Sequence, residues 1–236
     1  MKKFLVVFTA FTALAGVASA APLCLANQSI AFYEATYTNL ASACQIGDKL
    51  FYAFNYGSVA SGGAIAPDAT QVFVTPDPSN ASEPGLVFTS SGWTVSGTSG
   101  SANADVISID SNIGFNVQTV SGLPQILDAS LDFTGFFSTT GGGQALIGET
   151  VSFTGPQPAV GLSVDSNNGP FRDVKEFAGV SNLRVTKDLQ VRIARTQTGT
   201  ATITEFREGF SESPEPVSTF LMASGLLGLG FWRRRR

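Results

Sequence analysis

From Leu50 onward, apolar and polar residues tend to alternate, and the alternation is broken at short intervals by glycine, proline, asparagine and serine. A period of two marks strands with one buried face. Leu50, Tyr52, Phe54 and Tyr56 form one such series, and Phe115, Val117 and Thr119 against Asn116 and Gln118 form another. The clearest case sets Leu127, Ala129, Leu131 and Phe133 inward against Asp128, Ser130, Asp132 and Thr134 outward. Leu189, Val191 and Ile193 oppose Asp188, Gln190 and Arg192, and Ala201 to Phe206 supplies one more strand. Shorter runs at Gln71–Thr75, Leu86–Phe88 and Trp93–Val95 also read as strands. Turns are expected at Gly62-Gly63, Pro76-Asp77-Pro78, Gly141-Gly142-Gly143 and Asn167-Asn168-Gly169-Pro170, where residues that tolerate or fix unusual backbone angles cluster. Ile30, Tyr33, Glu34 and Tyr37 follow Asn27-Gln28-Ser29 at helical spacing and predict a short helix. No long amphipathic helix is available to cover a parallel sheet. The expected fold is therefore mainly β, an antiparallel β-sandwich or jelly-roll-like ectodomain over 21–213 with a short N-terminal helix.

Two further apolar stretches, one at each end, do not alternate. Met1-Lys2-Lys3 is a basic head, Phe4 to Gly16 is apolar, and Ala18-Ser19-Ala20 puts small residues where signal peptidase cuts. Residues 1–20 thus read as a signal peptide, with Ala18 and Ala20 at the cleavage site and Ala21 as the mature start. At the other end, Pro214-Glu215-Pro216 precedes an apolar run from Val217 to Trp232 and then Arg233, Arg234, Arg235 and Arg236. Sixteen residues span about 24 Å as a helix, against a hydrocarbon core of about 30 Å, so a C-terminal transmembrane helix is workable with its flanks. The four arginines cannot cross cheaply and act as a stop-transfer signal on the cytoplasmic side.

Residues 214–236 resemble the PEP-CTERM sorting signal of Gram-negative bacteria: a Pro-Glu-Pro motif, a short glycine-containing apolar helix and a terminal arginine cluster, in that order. The resemblance implies recognition by exosortase, a membrane-embedded cysteine transpeptidase-like enzyme, cleavage near Pro214, Glu215 and Pro216, and release or attachment at the cell surface. It also implies only transient anchorage in the inner membrane. The prolines flanking Glu215 keep that segment extended and outside the helix. Ala43-Cys44-Gln45-Ile46-Gly47-Asp48-Lys49-Leu50-Phe51, followed by Phe54-Asn55-Tyr56, is similar to a run near the mature N-terminus of some uncharacterised PEP-CTERM proteins, with Ala43 in place of their usual glycine. No catalytic role comes with that likeness.

Composition narrows the chemistry. The chain has 236 residues, 43% hydrophobic and 14% charged, and contains no histidine. Serine–histidine hydrolases, histidine–zinc sites and haem–histidine sites are thereby excluded. Between Ala21 and Ser213 acids outnumber bases by nine, which argues against a nucleic-acid partner. Bases concentrate late in the chain; Arg184, Lys187, Arg192 and Arg195 could take an acidic glycan, though alternating charge on a solvated face is the simpler account. Cys24 and Cys44 are the only cysteines, and an exported chain meets an oxidising periplasm, so one disulfide is expected.

Catalytic patterns are sparse. Asp128 with Asp132, and Asp105 with Asp110, are the carboxylate pairs to weigh for glycoside hydrolysis. The first pair is expected on one solvated strand face about 13 Å apart, wider than either glycosidase geometry uses. Asp165-Ser166-Asn167-Asn168-Gly169 and Asp110-Ser111-Asn112-Ile113-Gly114 resemble fragments of calcium loops without the closing acidic ligand, so a structural calcium is the one metal to consider. Asn27-Gln28-Ser29 and Asn80-Ala81-Ser82 match the glycosylation triplet, which carries little weight in a bacterium. The expectation is a non-catalytic surface or extracellular-matrix protein with a structural or adhesive role in exopolysaccharide, biofilm or floc, processed by signal peptidase and exosortase. A carbohydrate-binding module would instead present Trp93, Tyr37 or Tyr56 beside a groove, and a secreted hydrolase would bring two carboxylates together in a cleft.

Overall fold

Ser29 keeps an extended backbone while its hydroxyl accepts the Phe32 N–H, so the chain passes from a two-residue strand, β1 (Gln28–Ser29), directly into the helix α1 (Ile30–Thr36). Ile30 and Tyr33 face inward, and the Tyr33 ring meets Phe54 edge-on at 4.9 Å while its hydroxyl donates to the Leu25 carbonyl at 2.6 Å. Asn39 caps a 3-10 turn at Leu40–Ser42, and β2 (Cys44–Ile46) follows. The expected disulfide joins Cys24 to Cys44 and ties the N-terminal segment to β2. This computed structural model describes residues 21–80, 82–100, 106–134, 137–167 and 169–212. The signal peptide over 1–20, the Pro214-Glu215-Pro216 motif, the apolar run and Arg233 to Arg236 lie outside those residues, as do Ala81, Asp105 and Asn168. Among the described residues no helix is long and apolar enough to cross a membrane.

The remaining strands are β3 (Lys49–Ser61), β4 (Phe73–Asp77), β5 (Gly85–Thr89), β6 (Thr94–Thr98), β7 (Ile107–Thr119), β8 (Ile126–Asp132), β9 (Phe137–Gly141), β10 (Gly143–Phe153), β11 (Val160–Asp165), β12 (Arg172–Val180), β13 (Asn182–Ile193), β14 (Thr198–Ile203) and β15 (Glu205–Glu212). One sheet, A, runs β11-β10-β13-β7-β3-β2; a second, B, runs β1-β4-β5-β15-β8-β12; a third has order β6-β14-β9. These strands pair antiparallel throughout. Sheets A and B face each other across one apolar layer, in which Phe51 and Phe115 of A meet Phe210 of B and Phe115 stacks on Phe88 at 5.9 Å. The small sheet lies against β6-facing parts of β7 and β13 and brings Trp93 to within 5.7 Å of Phe206.

The predicted alternation holds in β7 and β13, whose apolar positions Phe115, Val117, Leu189, Val191 and Ile193 are buried. In β3 it does not. Lys49 and Phe51 point inward while Leu50 and Tyr52 are only half-buried, and at Ala53 the strand changes face so that Phe54 is buried. The cause is a bulge: Tyr52 pairs with Asn116 and Asn55 with Gly114, leaving two residues opposite one. Ala53 takes φ of 56° there and donates its N–H to the Tyr37 carbonyl at 2.7 Å. In β8, Ala129 and Leu131 are buried as expected, but Leu127 is only half-buried and Ser130 is fully buried. Pro76 and Asp77 belong to β4, so the chain turns after them, and Asp110 to Gly114 is the middle of β7 with no loop at all.

Candidate functional site

Four polar constellations stand out, and three of them hold the fold together. The first joins the β2–β3 turn to the end of β15. Lys49 is completely buried and its ammonium lies 2.6 Å from both Asp48 Oδ1 and Glu212 Oε1. Burial, and then the Asp48 carboxylate beside it, raise the Glu212 carboxyl above its ordinary range despite the lysine. The Asp48-Lys49 pair flagged by resemblance therefore clamps the last described strand, two residues before Pro214.

The second lies inside the sandwich. Lys187 of β13 reaches Glu149 of β10 and Glu208 of β15, and all three side chains are shielded from solvent. Burial and the neighbouring Glu149 push the Glu208 carboxyl well up, whereas the two glutamates keep Lys187 protonated against the cost of its own burial. The upward shift of Glu208 lessens the negative charge that the core must hold beside the single Lys187 ammonium. The expectation that Lys187 would join Arg184, Arg192 and Arg195 on a solvated basic face is corrected here: it shares the inward parity of Val185 and Leu189.

The third covers the outer face of β8. Arg207 donates to Asp77 Oδ2 at 2.5 Å and to the Glu83 carbonyl at 2.6 Å. Glu83 also accepts from the buried Ser130 hydroxyl and from Arg172 at 3.0 Å. Burial alone would raise Glu83, but Ser130, Arg207 and Arg172 outweigh it and hold its pKa low. Asp132 sits 3.4 Å from Arg172 and 3.8 Å from Arg207, yet burial, together with repulsion from Glu83, leaves its pKa raised. A Cβ on Gly209 would come within 2.8 Å of Glu83 and Ser130, so glycine makes room for the network. The face expected to be solvated is therefore a covered ion network. Asp128 and Asp132, the pair weighed for hydrolysis, each have structural partners: Asp128 accepts the Ser211 N–H at 3.2 Å and the Ser211 hydroxyl, and Asp132 lies beside the arginines.

The fourth is open to solvent. On the outer face of sheet A the register aligns Gln144 with Arg192, and Leu146 with Gln190 and then Asp110. The next row aligns Gly148, Asp188, Asn112 and Gly57. A cleft of about 160 Å³ is lined by Gln144, Leu146, Asp165, Asn167, Gln190 and Arg192. Arg192 Nε donates to Gln144 Oε1 at 2.6 Å, and Asn167 is fixed by its bonds to Gly143 O and Thr139 Oγ1. Burial, and then Asp110 against it, raise the Asp188 carboxyl just beyond the cleft.

Asp165 accepts the Asn167 N–H at 2.8 Å, an Asx turn, and among the described residues no group of three or more acidic or cysteine side chains is arranged to hold a metal ion. Trp93 and Tyr37 are buried and Tyr56 is half-buried with its hydroxyl on the Pro67 carbonyl, so these rings do not form a platform beside a groove. Glu83, Glu149, Glu208 and Glu212 were not singled out by sequence reasoning. For Glu149 the signal was present: it shares its parity along β10 with the buried Ala145, Ile147 and Val151.

No family model matches the chain, and no curated protein matches it. Among solved structures, TmCBM61 in complex with beta-1,4-galactotriose aligns over 64% of this chain and 86% of its own, at 10% identity and a TM-score of 0.28. A likeness at that level carries no argument about ligand or mechanism.

Proposed function

We propose that this chain is an exported surface or extracellular-matrix protein, cut by signal peptidase before Ala21 and sorted by exosortase at Pro214-Glu215-Pro216, with a structural or adhesive role in exopolysaccharide, biofilm or floc. One observation carries the reading: the motif, the apolar run from Val217 and the four arginines stand in that order at the end of the sequence. The folded body supports it. A disulfide suits an oxidising compartment, and strand β15, clamped through Glu212 to Lys49, leaves the chain two residues short of the motif. The role assigned is non-catalytic, because the carboxylates weighed for hydrolysis on β8 are consumed by structural partners.

Cell fractionation tests the sorting step. In the native host the protein is expected at the surface or in the medium, and in a strain lacking exosortase it is expected to stay in the inner membrane. An unchanged distribution in the two strains would remove the sorting claim.

A further inference from the structure

We propose that the outer-face cleft between β10, β11 and β13 binds one unit of a neutral, hydroxyl-rich polysaccharide. The lining chemistry selects this class. Hydroxyls both donate and accept, and Gln190 presents an amide that also does both and has no partner among the described residues. Arg192 keeps its terminal nitrogens as donors after giving Nε to Gln144, and Asp165 on the neighbouring strand β11 keeps Oδ2 as an acceptor while Oδ1 takes the Asn167 N–H. Leu146, 36% exposed in the middle of this polar rim, offers an apolar floor to the C–H face of a sugar ring. The cleft is far smaller than the roughly 300 Å³ or more typical of sites for drug-sized ligands, and it suits a single ring.

Competing occupants fit less well. An anion would meet Arg192 but also Asp165, with Asp110 and Asp188 just beyond, in a body where acids outnumber bases by nine. A cation would meet the Arg192 guanidinium, and the Gln144 and Asn167 oxygens are already accepting from Arg192 and Thr139. An added peptide strand pairs along a sheet edge, whereas Gln144, Leu146, Gln190 and Arg192 of the lining belong to the inner strands β10 and β13. Beside the cleft, Gly148 leaves the surface of β10 open, since the nearest atom to a Cβ there is 3.9 Å away.

This site does not depend on how the protein is sorted. Native gels containing dextran, galactomannan or mixed-linkage β-glucan, with alginate as the acidic control, test it on protein purified from cells expressing the full chain. Retardation is expected in at least one neutral gel and not in alginate. Gln190→Ala and Arg192→Ala should each weaken that retardation at least tenfold with unchanged melting, while Arg184→Ala, on the same face outside the cleft, should leave it intact. Unaltered migration in every neutral gel, retardation confined to alginate, or retardation that survives both cleft substitutions would overturn the proposal.

Discussion

Lys187 is the residue on which the core depends most directly. An ammonium cut off from water is tolerated only because Glu149 and Glu208 meet it, and removing one member of such a set leaves charge uncompensated. Lys187→Met should therefore cost about 3–5 kcal/mol in urea denaturation, and adding Glu149→Leu and Glu208→Leu should recover most of the loss. Glu208 also sets a pH dependence. Its folded pKa lies well above the ordinary 4.5, so the stability it contributes is complete below 4.5 and is lost as pH rises toward the folded value. Asp77 and Glu83 act in the other direction: their lowered values give stability that is full above the ordinary carboxylate range and is lost as pH falls through the folded values. Thermal melts should show highest stability under mildly acidic conditions, and Glu208→Gln should flatten the decline on the alkaline side. The triad was half readable beforehand. Lys187 and Glu149 occupy inward parities within apolar series, but a charge in such a place is read as solvated until the partner strand is known, and Glu208 comes from the other sheet.

At the scale of the element, parity is a local property that one inserted residue reverses. The Ile30–Thr36 helix and its Ser29 cap were readable because capping and helical spacing are written in adjacent residues. The two faces of β3 were not, because the bulge at Ala53 is fixed by partners distant in sequence, Tyr37 and the β7 segment around Gly114. A branched side chain at that positive φ is strained, so Ala53→Val should destabilise the protein by about 1–3 kcal/mol, read from the denaturation midpoint. The disulfide acts on the unfolded chain instead. Its cysteines are 20 residues apart, and paired Cys24→Ser and Cys44→Ser substitutions should lower stability by about 3 kcal/mol, a loss that a reducing agent should reproduce in the wild type. The open cleft on sheet A had no signature of its own, since Gln144, Asp165, Gln190 and Arg192 converge only through strand register.

For the whole molecule, the alternating pattern announced an antiparallel β body, and sheets A and B packed over one aromatic-rich layer are that body. The order of strands within each sheet was not readable, because β15 inserts between β5 and β8 and β13 between β10 and β7, pairings chosen by long-range packing. Lys49 at the start of β3 holds Glu212 at the end of β15, so the segment that leaves β15 starts from an anchored position. The central claim is that this body is exported and then freed from an apolar tail. The direct measurement is the intact mass of the protein from its native host, with and without exosortase. The account predicts a mature start at Ala21 in both strains and loss of the tail near Pro214 only where the enzyme is present. Retention of the tail in both strains would contradict it and make residues 217–232 an ordinary membrane anchor.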